Sequence, residues 1–318
     1  MTDEKSPTWE RELLQKWVTE INKEAKSERR WRYALRLVRS LSVLVFFSAF
    51  WFMTKGAGEA PWADAEKLDP HVAYIRIQGE ITTGALTDSD HLIKSIKGAF
   101  QNPKAKAIIL RINSPGGSPV HSGRIYDEIE KLKAQINKPI YTVIDEMCAS
   151  GGYYIASATD EIYADKASIV GSIGVITSGF GFTGLMEKLG VERRAITAGA
   201  NKALLDPFSP LTPEIENFWR NVLATTHQQF IASVKKGRGD RLTENTDVFS
   251  GLMWTGEQAL ELGLVDGLGS MEFVAQEKVG IENLVDYTPT QDIIRRLTQR
   301  AQVEVSAFLS PKHEVAVY

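Results

Sequence analysis

Residues 107–112 read Ala-Ile-Ile-Leu-Arg-Ile, a nearly unbroken apolar run rich in β-branched side chains. A strand lying on a half-exposed sheet alternates apolar and polar residues. A run without that alternation needs cover on both faces, which points to a parallel sheet packed between helices. The neighbouring segments agree. Val72–Ile77 and Pro139–Ile144 are β-branched strand candidates, and Asp88–Phe100 and Pro119–Ala134 carry apolar residues at helical spacing. Downstream, the spacing predicts a helix over Ser150–Ala158 and short strands over Glu161–Ala164, Ser168–Ile176 and Glu192–Thr197. Further helices are expected over Thr183–Leu189, Pro213–Lys236, Gly256–Leu262 and Thr290–Phe308. Strands alternating with helices give an α/β fold with mostly parallel strands and right-handed crossovers.

Composition sets outer limits. The chain has 318 residues, 43% hydrophobic and 24% charged, enough for a sizeable core without staples. Cys148 is the only cysteine, which excludes an intrachain disulfide, and the net charge of -3 gives no global reason to expect a nucleic-acid partner. The five histidines show no metal-ligand spacing, and neither a phosphate-binding loop nor a paired-cysteine motif occurs. No cofactor or metal is expected.

The N-terminal region reads as a membrane anchor. Residues 40–53 are free of charge, and extension back to Tyr33 gives the length of a span while including Arg36 and Arg39, which can snorkel to the interface. Five arginines between Arg29 and Arg39 precede this stretch, and Lys55, Glu59, Asp64 and Glu66 follow it. That asymmetry places the N-terminus in the cytoplasm and the remainder beyond the membrane. A cleaved signal peptide fits less well, because its basic region would be too long and no small-residue cleavage site follows.

Three segments sit where strands end at their carboxyl side, the position at which α/β folds build sites. Asn113-Ser114-Pro115-Gly116-Gly117 can expose successive backbone N–H groups, as an oxyanion hole or as an ordinary turn. Ser150, before Gly151 and Gly152, is a nucleophile candidate at a helix start, where a serine more commonly serves as N-cap. Lys202 lies in a Gly/Ala-rich stretch and is either a general base or a surface charge. His121 is the one histidine near these loops.

Taken in order, NSPGG at 113–117, ASGGYYIA at 149–156, GSIGVI at 171–176, Lys202 ahead of DPFSP, and WTGEQALELGLVDGLG at 254–269 resemble the S49 family of serine peptidases, the signal peptide peptidase A type, in its short single-repeat form. The resemblance covers about residues 71–269. It implies a ClpP/crotonase-like spiral of β-β-α units and a serine–lysine dyad. In that scheme Ser150 is the nucleophile, Lys202 the base, Ser172 the group that orients the lysine, and the N–H groups of Gly117 and Gly151 the oxyanion hole. It further implies a ring of identical subunits with Ser150 and Lys202 meeting across a boundary, and apolar, signal-peptide-like substrates. The region around Lys202 departs from the family pattern.

The expected organisation is a polar cytoplasmic tail over 1–32, a single-pass anchor in the inner (plasma) membrane over 33–53 and a linker over 54–70. The peptidase domain then occupies 71–285, on the extracytoplasmic side, with a helical tail over 286–318. Three other readings compete: an inactive ring-forming membrane scaffold, a peptidase that depends on His121, and a crotonase-type acyl-CoA enzyme, for which neither the acidic residues nor a CoA site is visible.

Overall fold

The computed structural model describes residues 16–17, 31, 35–48, 69–199 and 201–289. Two compact units divide the chain, one up to Glu59 and one from Ala60 onward. In the first, residues 35–48 are helical and exposed. At about 1.5 Å per residue such a helix is about 21 Å long, against the roughly 30 Å of a bilayer core. Among the described residues no helix is long and apolar enough to cross a membrane. The single-pass anchor expected over 33–53 therefore has no support in the described helix, and its remaining residues, with the tail before them and most of the linker, lie outside the described residues.

The second unit is built on one sheet. In chain order its elements are β1 (His71–Gln78), α1 (Ser89–Gln101), β2 (Ala105–Ser114), α2 (Pro119–Gln135), β3 (Ile140–Ala149), α3 (Gly151–Ala156), β4 (Glu161–Ala164), β5 (Ile169–Gly171), α4 (Thr183–Leu189), α5 (Pro213–Arg238), β6 (Met253–Thr255), α6 (Gly256–Glu261), β7 (Gly267–Leu268) and β8 (Leu284–Asp286). The strand order is β6-β5-β3-β2-β1-β8, with β4 joined to β3 and β7 off that path. Every pairing is parallel except β5 with β6. The expected α/β fold is present.

Both faces of the sheet are covered, as the run at 107–112 requires. Ile108, Leu110 and Ile112 join Ile75, Ile77 and Ile144 in a core shared with Leu92 and Ile96 of α1, Ile125 and Ile129 of α2, and Phe230 of α5. Ala107 and Ile109 turn the other way, onto Tyr141, Val143, Met271 and Val274. Arg111, the one charge in the run, lies beyond that second cover and pairs with Asp145 at 2.9 Å.

β3 changes partner along its length. Tyr141–Ile144 pairs with Glu161–Ala164 of β4, and Met147–Ala149 pairs with Ile169–Gly171 of β5. The switch coincides with a register break against β2, where Ile112 faces Ile144 but Ser114 faces Cys148. The end of β3 is thereby steered away from β4.

Several boundaries differ from expectation. Residues 192–197 form no strand and are exposed, and among the described residues no strand pairs with them. The strand expected over 168–176 stops at Gly171. The helix expected from Ser150 to Ala158 ends at Ala156. The chain re-enters the sheet late: β8 pairs with β1, and Tyr287 donates its N–H to Tyr74 O at 2.8 Å, so ordered structure passes residue 285. The helix expected from Thr290 lies outside the described residues.

One ion cluster fastens α5 to the sheet. Arg238, whose side chain is 0% exposed, places its guanidinium on Asp266 at 2.7 and 2.9 Å, and Arg241 adds a contact at 3.0 Å. Burial alone would raise the Asp266 carboxyl. The Arg238 hydrogen bonds and charge, the Ile162 N–H and the Arg241 charge outweigh it and hold the group below the ordinary carboxylate value. A carboxyl lowered in the folded state contributes stability that is complete above its unfolded value of about 3.9 and is lost as the pH falls through its folded value. Asp266→Asn leaves the Arg238 charge unneutralised and should cost about 3 kcal/mol or more at neutral pH. Urea unfolding should show that cost shrinking as the pH drops below about 4; a pH-independent difference would contradict this origin.

Candidate functional site

The end of β3 delivers Ser150 to the first turn of α3. The serine adopts φ 49° and ψ -119°, a conformation that costs a non-glycine residue roughly 1–3 kcal/mol. Neighbouring backbone holds it there. The Ser150 N–H donates to Gly171 O at 2.8 Å, and Ser150 O accepts the Tyr154 N–H at 2.9 Å. Its side chain makes no capping hydrogen bond. The N-cap role, the commoner use of serine at a helix start, is therefore absent, and the hydroxyl is left facing a cavity.

The loop after β2 lies against this turn. Ile81 donates its N–H to Gly116 O and accepts the Ser118 N–H, each at 2.8 Å. In such a parallel bridge the two residues flanking Gly117 supply the contacts, which leaves the Gly117 N–H on the opposite edge. A Cβ on Gly151 would lie 3.3 Å from Gly117 N and 3.5 Å from Gly116 Cα, so the two glycine turns leave no room for a side chain between them. Both N–H groups belong to the same corner as the serine.

Ser172 follows β5 directly. It too has a positive φ, 51°, and its N–H donates to Leu252 O at 2.8 Å. Because Ala149 pairs with Gly171, Ser172 comes off β5 beside the place where Ser150 comes off β3. The cavity there has a volume of about 1000 Å³. Gly117, Ser150, Gly151 and Ser172 all line it, and its far wall includes Tyr154 and Phe230, whose rings stack at 4.7 Å.

Lys202 does not join this group. It is exposed in the turn 201–205, with its backbone N–H on Gly199 O at 3.2 Å, and does not line the cavity. It belongs to an arm, about residues 176–212, that leaves the sheet after Ser172 and carries Ile176, Phe180 and Ile196 at 84%, 81% and 101% exposure. The arm is held by its own contacts: Phe182 stacks on Phe208, and Arg193 pairs with Asp206.

His121 is used elsewhere. Its ring nitrogens contact Ser89 Oγ at 2.8 Å and Thr83 Oγ1 at 2.9 Å, which ties α2 to the start of α1. Cys148 is fully buried, and burial pushes its thiol up, so it offers no thiolate beside Ser150. Sequence reasoning missed Ile81, which seats Gly117, and the face of α5 formed by Thr226, Gln229, Phe230 and Ser233, which walls the cavity. The apolar spacing of α5 carried that second signal.

Gly116 approaches the serine turn closely. It has φ 102°, and a Cβ there would lie 2.7 Å from both Gly151 N and Ser150 Cβ. Gly84 also has a positive φ, 78°, but open space around it. Gly84→Ala should cost about 1–2 kcal/mol. Gly116→Ala should cost at least about twice that, because backbone must also move. Equal losses in thermal unfolding would show that the close approach at Gly116 is relaxed in solution.

Comparison with known proteins bears on this geometry. The family model "Peptidase family S49" matches residues 132–284, and the "Clp protease" model matches residues 71–170. A Brucella melitensis protein named Na(+)/H(+) antiporter NhaA is 45% identical over 209 residues, which cover 64% of this chain and 28% of that protein. A Brucella abortus protein of the same name is covered to 30%, so the chain spans less than a third of these two relatives. A Synechocystis protein named "Putative protease" is 33% identical over 247 residues, 74% of this chain and 86% of that protein. This last match runs almost the whole length of the relative, and the family match reaches from α2 to β8 through Ser150, Ser172 and Lys202: the chain belongs to peptidase family S49.

Proposed function

We propose that this chain is a serine endopeptidase in which Ser150 is the nucleophile and Lys202, supplied by a neighbouring copy, is the general base. The observation that carries the reading is the Ser150 turn. Its hydroxyl is spent on no cap and faces a large cavity, in a conformation stabilised only by backbone on either side. A strained residue that performs no structural service is a candidate for chemistry.

The proposed reaction follows from the groups at that corner. Ser150 Oγ bonds to the carbonyl carbon of the peptide and passes its proton to the neutral amine of Lys202. The carbonyl oxygen takes the displaced electron pair and is held by the N–H groups of Gly117 and Gly151. Collapse breaks the C–N bond, and the Lys202 ammonium returns the proton to the leaving amine. Water then repeats the sequence on the acyl-serine and frees Ser150. Ser172 accepts a hydrogen bond from Lys202 and orients it.

Placing the base on another copy agrees with the exposure of Lys202 and of the apolar arm that carries it. An apolar surface of that extent is characteristic of a protein contact, and a ring of copies would cover it. Proposed substrates are apolar, extended peptides of membrane origin, such as remnant signal peptides, lying along the Gly116–Gly117 loop. A relative in Enterococcus faecium, 33% identical over 62% of this chain and 57% of its own length, carries the name "Putative signal peptide peptidase SppA". We assign the protein to the inner membrane, with the anchor over 33–53 and the peptidase domain outside the cytoplasm, on the arginine asymmetry around that segment.

Ser150→Ala and Lys202→Ala should each lower hydrolysis of a fluorogenic Ala/Leu peptide by about 10³-fold or more. Mixing the two inactive proteins under conditions of subunit exchange should restore a fraction of the activity. Full activity in Ser150→Ala would end the assignment, and no recovery on mixing would place both groups within one copy. Because lysine accepts a proton only as the free amine, the rate should climb toward alkaline pH without a histidine-like inflection near about pH 6.5.

A further inference from the structure

The loop 172–174 carries Ser172 and begins the arm. Backbone contacts fix its first half: Ser172 N–H on Leu252 O at 2.8 Å, and Gly171 O beneath the Ser150 N–H. Its second half is held by a backbone bond, from the Gly174 N–H to Ser172 O at 2.9 Å, and by one side chain. His227, half-buried on α5, places Nε2 at 2.9 Å from Ile173 O. Among the described residues this is the only side-chain hydrogen bond that reaches residues 171–175. A carbonyl can only accept, so the imidazole carries a proton on Nε2. His227 shares a face of α5 with Phe230, which lines the cavity and packs on Tyr154. α5 in turn is anchored by Arg238 on Asp266.

We propose that His227 is a positioning residue for the reaction at Ser150: its bond to Ile173 O sets the Ser172 hydroxyl and the direction in which the Lys202 arm leaves the sheet. The proposal rests on the Ser150–Lys202 reading. Ser172 holds a positive φ, which must be stabilised from outside the residue. Pulling on the next carbonyl from α5 opposes relaxation of that turn. His227 itself does not line the cavity and exchanges no proton with substrate.

Steady-state hydrolysis of a fluorogenic Ala/Leu peptide by the full chain tests this. His227→Leu should lower kcat about tenfold, the effect of one lost hydrogen bond at the upper end of its usual range, with KM changed less than about twofold. His227→Gln, whose amide nitrogen can reach the place of Nε2, should recover most of the loss. In a Ser172→Ala background His227→Leu should cost clearly less, since the part of its effect that passes through the Ser172 hydroxyl is already lost. Unchanged kcat in His227→Leu overturns the proposal, as does the same cost with and without Ser172 or a Gln variant no better than Leu. If the Leu variant does not fold, His227→Asn replaces it, because its shorter amide cannot reach Ile173 O. Ser150→Ala assayed alongside separates the two readings: activity there removes the dyad, whereas a dead Ser150→Ala beside fully active His227 variants removes only the role of His227.

Discussion

The structure turns on β3 changing partners. A strand that stayed on β4 along its whole length would end with its last residues level with the rest of the sheet. Instead the register slips against β2 between Ile144 and Cys148, and the last three residues pair with β5. The slip places Asp145 where its carboxylate meets Arg111 and its carbonyl accepts the Ser168 hydroxyl. Both contacts fasten the chain where the ladder is interrupted. From that displacement come the exit of Ser150 beside Gly171, the bond from the Ser150 N–H to Gly171 O, and the position of Ser172 one residue beyond.

Two serines with positive φ side by side are an uncommon concentration of strain. Each is over-determined by backbone rather than by its own side chain. Ser150 is gripped through its N–H and its carbonyl, and Ser172 through its N–H on Leu252. This frees both hydroxyls, because a serine that capped a helix or closed a turn would have spent its oxygen. Glycine makes the crowding possible on the opposite side, where Gly116 approaches Ser150 and Gly151 more closely than any side chain would allow.

The helices and long strands were legible because each declares itself within a dozen residues. The run at 107–112 called for two covers, and two are present, and the expected span of the second strand of the hairpin-free sheet differs from the observed one only at its ends. The grouping of Gly117, Ser150, Gly151 and Ser172 at one cavity could be anticipated from glycine-rich turns that follow strands. What local pattern could not reveal is pairing at long range. β6, β7 and β8 are two or three residues each, too short to have a period, and exist because partners fifty or more residues away wait for them. The β-branched residues at 192–197 show the reverse: strand-like chemistry with no neighbouring strand leaves an exposed coil. His227 was invisible for the same reason, since its partner, Ile173 O, is a backbone atom 54 residues away.

The cavity holds hydroxyls, backbone donors and an aromatic wall, but neither a histidine nor a lysine lines it. For the proposed hydrolysis the base must therefore arrive from elsewhere. The arm bearing Lys202 is the part of the second unit least engaged with the sheet, and the part with the most exposed apolar side chains. A nucleophile held rigidly in the sheet and a base carried on a surface suited to contact would make assembly a condition of activity. An unassembled copy would then be inert toward the peptides around it. In that arrangement the residues at the root of the arm matter as much as those in the cavity, because a small error in the direction of the arm is magnified by its length before it reaches the neighbouring serine.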